Sequence, residues 1–184
     1  MVLGGQPPGR VGRRRFFIQQ SSPTSVGLAA FRGCHTCRTL TRLTGEAVTI
    51  RRCHRDDVDA VLRLWAAGRS GHASTPDHRE DVERLLDDGP AALIVAEDSG
   101  RLAGAVIAGW DGWRGNIYRL TVEDGYRRRG IGRRLTKAAE EYLRSRGARR
   151  ITALVAYDDE RAGSFWDSAG YPQDAEIGRR VRNI

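Results

Sequence analysis

Leu120-Thr121-Val122-Glu123-Asp124-Gly125-Tyr126-Arg127-Arg128-Arg129-Gly130-Ile131-Gly132-Arg133-Arg134-Leu135 runs from an apolar, β-branched stretch through an arginine- and glycine-rich turn into a long amphipathic pattern. Residues 116–122 read as a strand. From about Gly132, Leu135, Ala138, Ala139, Tyr142 and Leu143 fall on one helical face, and Gly147 ends the pattern. Glu140 and Arg144 add an i,i+4 pair on that helix. Between strand and helix, Gly130 and Gly132 permit close backbone approach to a ligand, and a helix start presents unpaired N–H groups at the positive end of its dipole. That is a cradle for a pyrophosphate, with Arg127, Arg128 and Arg129 adding charge. No Gly-Lys-Ser/Thr follows, so it is not a Walker loop, and a dinucleotide fingerprint needs a third glycine.

Working outward, Thr49-Ile50-Arg51 begins a short strand. Asp56 then caps a helix whose Val58, Val61, Leu62 and Trp65 share one face. Thr75-Pro76 reads as cap and first residue of a second helix carrying Val82, Leu85 and Leu86 inward, stopped by Gly89-Pro90. Residues 91–96 and 102–108 are apolar strands joined at Asp98-Ser99-Gly100, a hairpin signal. Residues 151–156 read as a strand, 159–169 as a helix, and 177–182 as a closing strand. The order β-α-α-β-β-β-α-β-α-β predicts an α/β (α+β) fold, a mixed and mostly antiparallel sheet flanked by helices in a single domain over 48–184.

The chain has 184 residues, a formal charge of +8, 40% hydrophobic and 7% aromatic residues, enough for one packed core. No apolar run approaches the ~20 residues a bilayer span needs, so no membrane partner is expected. The charge is uneven. Residues 1–47 hold seven Arg against Glu46, leaving +6 there and +2 over 48–184. Lys137 is the sole lysine, which is a compositional habit rather than selection for phosphate, since lysine is also a good phosphate ligand. No nucleic-acid partner is expected. The leader 1–47 has the composition of a disordered segment, read as a start site called too early or as an organelle transit segment. Its Cys34-His35-Thr36-Cys37 lacks a second pair of ligands for a tetrahedral site, Cys53-His54 being adjacent in sequence, so no metal is expected. Three cysteines without a secretory signal imply free thiols in a reducing, cytoplasmic setting.

The segment Leu120-Thr121-Val122 through Leu135, followed by Asp159-Glu160-Arg161-Ala162, Phe165-Trp166 and Ala169-Gly170-Tyr171, resembles the signature of the GCN5-related N-acetyltransferase (GNAT) family. The resemblance covers residues 48–184 and implies an N-acetyltransferase that uses acetyl-CoA. By that resemblance, the backbone of Leu120, Thr121 and Val122 runs beside the pantetheine arm, with one N–H polarising the thioester carbonyl. Arg127 holds the first motif position, and the N–H groups of Arg128, Arg129, Gly130, Ile131, Gly132 and Arg133 hold the pyrophosphate. Asp159 stands where the family commonly has a cofactor-contacting Asn; a carboxylate accepts but does not donate. Trp166 stands where the family often has a Tyr acid, and it reads as core beside Phe165.

Catalysis then rests mainly on positioning. Tyr157 and Tyr118 are substitutes for the missing acid, and Glu123 is the candidate general base, acting through water. The loop Gly109-Trp110-Asp111-Gly112-Trp113-Arg114-Gly115 offers Trp110, Asp111, Trp113 and Arg114 as the acceptor lining. His72 and His78, around the second helix, read as surface residues in a region that flanks the acceptor in this family. The expected acceptor is an amine of a small molecule or a protein, and the expected assembly a monomer or homodimer. The alternative is a catalytically quiet acyl-CoA-binding or regulatory domain, supported by Asp159 and Trp166.

Overall fold

Two long strands form the middle of the sheet because both their faces are apolar. In β2 (Ala91–Asp98) the alternation sends Ala92, Ile94 and Ala96 to one face and Leu93 and Val95 to the other, as expected of a strand covered on both sides. It pairs with β3 (Arg101–Trp110) through the Ser99-Gly100 turn, and both turn residues take positive φ. β1 (Thr49–Arg52) and β4 (Gly115–Val122) add on the outer sides, both antiparallel, and β5 (Ile151–Ala153) joins β4 in parallel. The spatial order is β1-β2-β3-β4-β5. The computed structural model describes residues 48–69, 71, 76–87, 89–178 and 180, all within the compact unit Leu43–Ile184. The leader, its Cys34–Cys37 quartet, His72 and Thr75 lie outside the described residues.

On one face of the sheet lie α1 (Val58–Ala67) and α2 (Arg79–Asp87), which bury Val58, Val61, Leu64, Trp65 and Val82 against Leu93, Val95 and Ala105. On the other face α3 (Ile131–Ser145) presses Ile131, Leu135, Ala139 and Leu143 onto Ala103, Val106, Ala108 and Ile117, and Trp166 of α4 (Glu160–Ser168) joins that cluster. Each fully buried Leu or Ile contributes about 1.5–3 kcal/mol relative to exposure. The expected α/β mixed, mostly antiparallel sheet is therefore present. No helix among the described residues is long and apolar enough to cross a membrane.

Three expected boundaries move. The second helix begins at Arg79 rather than at Thr75-Pro76, and Asp77, before its first turn, pairs with Arg69 and Arg119. The strand expected over 151–156 stops at Ala153; Ile117 opposite Ala153 is the last rung, so residues 154–156 have no partner strand. The expected closing strand is not formed at Ile177, Gly178 or Arg180, and the remaining residues of 177–182 lie outside the described residues.

Candidate active site

The parallel ladder joins Gly115, Asn116 and Ile117 to Ile151, Thr152 and Ala153, and then ends. β4 continues to Val122 while residues 154–156 leave the sheet. The parting of the two strands opens a groove of about 1650 Å³, whose walls include Tyr118 and Arg119 on one side and Leu154, Val155, Ala156 and Tyr157 on the other. Along β4 the register to β3 shifts: Ala105 faces Thr121 and Ile107 faces Tyr118, so Arg119 and Leu120 stand opposite Val106 alone. Arg119 takes a φ of +51° at this bulge. A bulge breaks the ladder locally and frees backbone groups from strand pairing, here in the segment whose N–H groups were expected to meet an acyl carbonyl.

Beyond β4, a single turn of 3-10 helix (Asp124–Tyr126) leads into the start of α3. Gly130 is its N-cap, in the left-handed region at φ +78°, and contributes no capping side chain. No acidic residue occupies the first turn. The leading N–H groups of any helix lack intrahelical acceptors, so this start is left open to an anion. The two glycines have different reasons. A Cβ on Gly130 would meet nothing within 4 Å, and its backbone angle is what requires glycine. A Cβ on Gly132 would lie 3.1 Å from Phe165 Cε2, so Gly132 lets α4 pack against α3.

The arginines divide in the same way. Arg127 is tied into the turn, its Nε donating to the Val122 carbonyl at 3.2 Å and its guanidinium pairing with Asp124 at 2.6 Å. Arg133 donates to the Ser168 carbonyl and Arg134 to the Val48 carbonyl. Arg128 is exposed with a φ of +59°, and Arg129 lies over the Tyr126 ring at 5.2 Å. Both are exposed and immediately precede Gly130 in the chain.

Asp159 caps α4: its Oδ1 accepts the Ala162 N–H at 2.9 Å. It also lines the groove. Trp166 is 8% exposed and makes edge-to-face contacts with Phe165 and Tyr171, as expected of a core residue. The Tyr171 hydroxyl bonds Glu140 Oε1 at 2.9 Å, and burial, aided by that carboxylate, raises its pKa and makes it a poor acid. Tyr157 is 81% exposed on the groove rim, and Tyr118 also faces the groove.

Glu123 is elsewhere. Its Oε1 pairs with Arg101 at the end of the β2–β3 hairpin, its Oε2 is buried without a partner among the described residues, and it does not line the groove. The loop 109–115 lies at the paired end of β4 and β5, where Gly115 faces Ile151. Asp111 accepts the N–H groups of Trp113 at 2.8 Å and Arg114 at 2.6 Å, and these bonds hold its carboxyl below the usual range. Asp111, Trp113 and Arg114 are exposed, Trp110 packs on the core, and none of the four lines the groove. The hairpin's composition suited a binding lining, but its acid is used to close its own turn. The structure instead brings Asp77, His78, Tyr118 and Arg119 to the groove wall on the α1/α2 side. Asp77 and Arg119 carry no periodic or motif signal; only the ion pair between them, at 2.6 Å, marks them.

A mixed sheet that parts between two parallel strands, with a glycine-started helix after the longer one, is the arrangement expected from the resemblance to acetyltransferases. Residues 58–171 match the model of the acetyltransferase (GNAT) family, and the chain belongs to that family. It is an acetyltransferase. An acetyltransferase of Pectobacterium atrosepticum is 34% identical over 122 residues, 66% of this chain and 86% of that protein. One of Sodalis glossinidius is 34% identical over 135 residues, 72% and 94% of the two chains. Among solved structures, an aminoglycoside N-acetyltransferase in complex with CoA superposes with a TM-score of 0.64 at 17% identity, covering 75% of this chain and 96% of that one. At that identity the likeness is one of fold.

Proposed function

We propose that the protein transfers the acetyl group of acetyl-CoA to a primary amine of a small molecule. The observation that carries this is the uncapped start of α3, which follows the strand whose Tyr118 and Arg119 wall the groove; Leu120, Thr121, Val122 and residues 127–133 do not themselves line it. The N–H groups of Arg128, Arg129, Gly130, Ile131, Gly132 and Arg133 face a pyrophosphate, Arg127 braces the turn, and Arg128 and Arg129 add charge. Leu120, Thr121 and Val122 at and after the bulge run beside the pantetheine arm, one N–H polarising the thioester carbonyl. Asp159 serves the site by fixing α4 at the groove wall. Among described residues no cluster suited to a metal occurs, and the chemistry assigned here calls for none.

The reaction forms an N–C bond and breaks a C–S bond, and the proton the amine loses balances the one the thiolate gains. Trp166 is held in the core, so we assign protonation of the thiolate to Tyr157 on the rim. Glu123 faces Arg101, and the acceptor lining moves from the 109–115 loop to Asp77, His78 and Tyr118. A small-molecule acceptor is supported by neighbours in fold that include the aminoglycoside enzyme and a glucosamine-6-phosphate N-acetyltransferase of Arabidopsis thaliana. A cytoplasmic monomer or homodimer, with no nucleic-acid partner, is the setting we assign.

The test pairs a thermal shift with CoA against thiol release from acetyl-CoA over a panel of amino sugars, polyamines, amino acids and a peptide with a free N-terminus. Stabilisation by CoA with turnover on a small amine is expected. Stabilisation without turnover on any amine leaves the quiet binding domain; preference for the peptide overturns the small-molecule assignment. Tyr157→Phe is expected to lower kcat by about a hundredfold, within the usual range for a general acid, and Trp166→Phe by only a few-fold.

A further inference from the structure

We infer that the β2–β3 hairpin anchors the cofactor cradle: Glu123 and Tyr126, held by Arg101 and Asp98 of the hairpin, are positioning residues that fix the turn before α3 for its contacts with pyrophosphate. This rests on the acetyltransferase reading above.

The turn between β4 and α3 is tied to the hairpin at three points. The Glu123 N–H, one residue beyond the end of β4, donates to the Ala103 carbonyl at 2.9 Å. The Glu123 carboxylate pairs with Arg101, the first residue of β3. The Tyr126 hydroxyl donates to the carboxylate of Asp98, the last residue of β2. The Tyr126 N–H closes back on the Glu123 carbonyl at 2.9 Å, so both side-chain anchors sit around one turn of 3-10 helix. The Tyr126 ring packs against the core cluster that contains Ile131 and Leu135 of α3, and the Arg129 guanidinium lies 5.2 Å from the ring centre. Tyr126 thus touches the hairpin, the core under α3 and an arginine of the cradle at once.

The stretch that follows Tyr126 depends on these anchors. Arg128 and Gly130 both take left-handed angles, φ +59° and +78°, and a non-glycine residue stays there where its surroundings enforce it. Backbone N–H groups bind an anion well when they converge before it arrives, because the ordering is then completed in folding. Downstream the turn is pinned by Ile131, 2% exposed in the core. Upstream it is pinned by the hairpin contacts. Neither Glu123 nor Tyr126 lines the groove, so both act through the cradle and not on the acyl group. The side chain of Arg101 is 69% exposed and that of Glu123 30%, and an ion pair so open to water adds little to global stability. Its effect is expected in cofactor affinity.

The experiment compares, in each variant, the Kd for CoA by calorimetry, the Kd for pantetheine by NMR titration, and Tm. Pantetheine is the arm of CoA without its pyrophosphate and nucleotide. Glu123→Ala and Tyr126→Phe are each expected to weaken CoA binding by about fivefold, the scale of coupling between residues in contact. Pantetheine should stay within about twofold, and Tm should fall by no more than about 4 °C. Glu123→Gln keeps an acceptor for Arg101 and is expected to restore CoA affinity to within about twofold of the unaltered protein. If these variants fold poorly, Arg101→Gln on the exposed hairpin is expected to give the same loss confined to CoA. A loss shared equally by CoA and pantetheine, as general loosening of the fold would give, overturns the inference, and so does unchanged CoA affinity in both single variants. Absence of any response to CoA or pantetheine in the unaltered protein overturns the acetyltransferase reading instead.

Discussion

The starts of α3 and α4 face the same problem and solve it oppositely. Every helix begins with N–H groups that its own backbone does not satisfy. α4 closes its start with the Asp159 carboxylate and places Glu160 in the first turn. In the 3-10 turn that leads into α1, Asp57 accepts the His54 N–H at 2.7 Å and is locked by Arg51, although as the N-cap of α1 it makes no side-chain capping bond. α3 begins on Gly130, brings no capping side chain and no acid, and is flanked by Arg128 and Arg129. Starting on glycine rather than on a capping side chain forgoes only about a few tenths of a kcal/mol. Under the proposed function, the difference separates helices that are finished by folding from one that a ligand would finish.

The largest effect that tests this contrast is expected at Gly130. Gly130→Val forces a β-branched side chain to φ +78° and distorts the cradle, and loss of one or two hydrogen bonds to charged phosphate oxygens weakens acetyl-CoA binding by about tenfold to a hundredfold. Calorimetry with acetyl-CoA reads this, and unchanged affinity breaks the contrast. Gly132→Leu should act differently, because its side chain meets Phe165. Thermal unfolding should show a loss of about 1–3 kcal/mol from overpacking, with affinity affected only through the displaced α4.

Asp159→Ala sharpens the other side of the comparison. It is expected to cost about 1 kcal/mol, a fall of roughly 2–4 °C in Tm for a chain of this size, and to leave the Kd for CoA nearly unchanged. A tenfold loss of CoA affinity would show that Asp159 also holds the ligand. Arg128→Gln with Arg129→Gln should weaken CoA binding by about twofold to fivefold at low salt, the scale of exposed charge pairs, and the loss should shrink as salt is added.

The smallest effect concerns the turn into α1 that Asp57 braces. Arg51, as its hydrogen-bonding partner, lowers the pKa of this carboxyl from 3.8. A group whose pKa is depressed by folding stabilises above its unfolded value and loses that contribution as pH falls through the folded one. Tm should therefore decline below about pH 4, and Asp57→Asn should flatten that decline while lowering Tm at pH 7. An acid limb identical in both proteins would show that the pair carries none of it.

The helices and central strands were legible because their signals are local. Leu135, Ala139 and Leu143 repeat at helical spacing and are buried where that spacing puts them, and the glycine-arginine turn identified the open helix start. The acceptor side we propose was not legible. Trp110, Asp111, Trp113 and Arg114 look like a binding loop by composition, yet the Asp111 carboxylate is consumed by its own turn. Glu123 sits in sequence beside the motif but turns to Arg101.

The sequence by itself determined the central strands of the sheet, the helix faces, the family and the glycine-started turn before α3, since periodicity, turn residues and a contiguous motif need no knowledge of distant neighbours. Only the tertiary structure decided that β4 and β5 part after three rungs, that Gly132 answers to Phe165, and that Arg119 meets Asp77. Those facts depend on which distant segments come within a few ångströms of each other, and the energy of such contacts is set by packing rather than by any local preference of the chain.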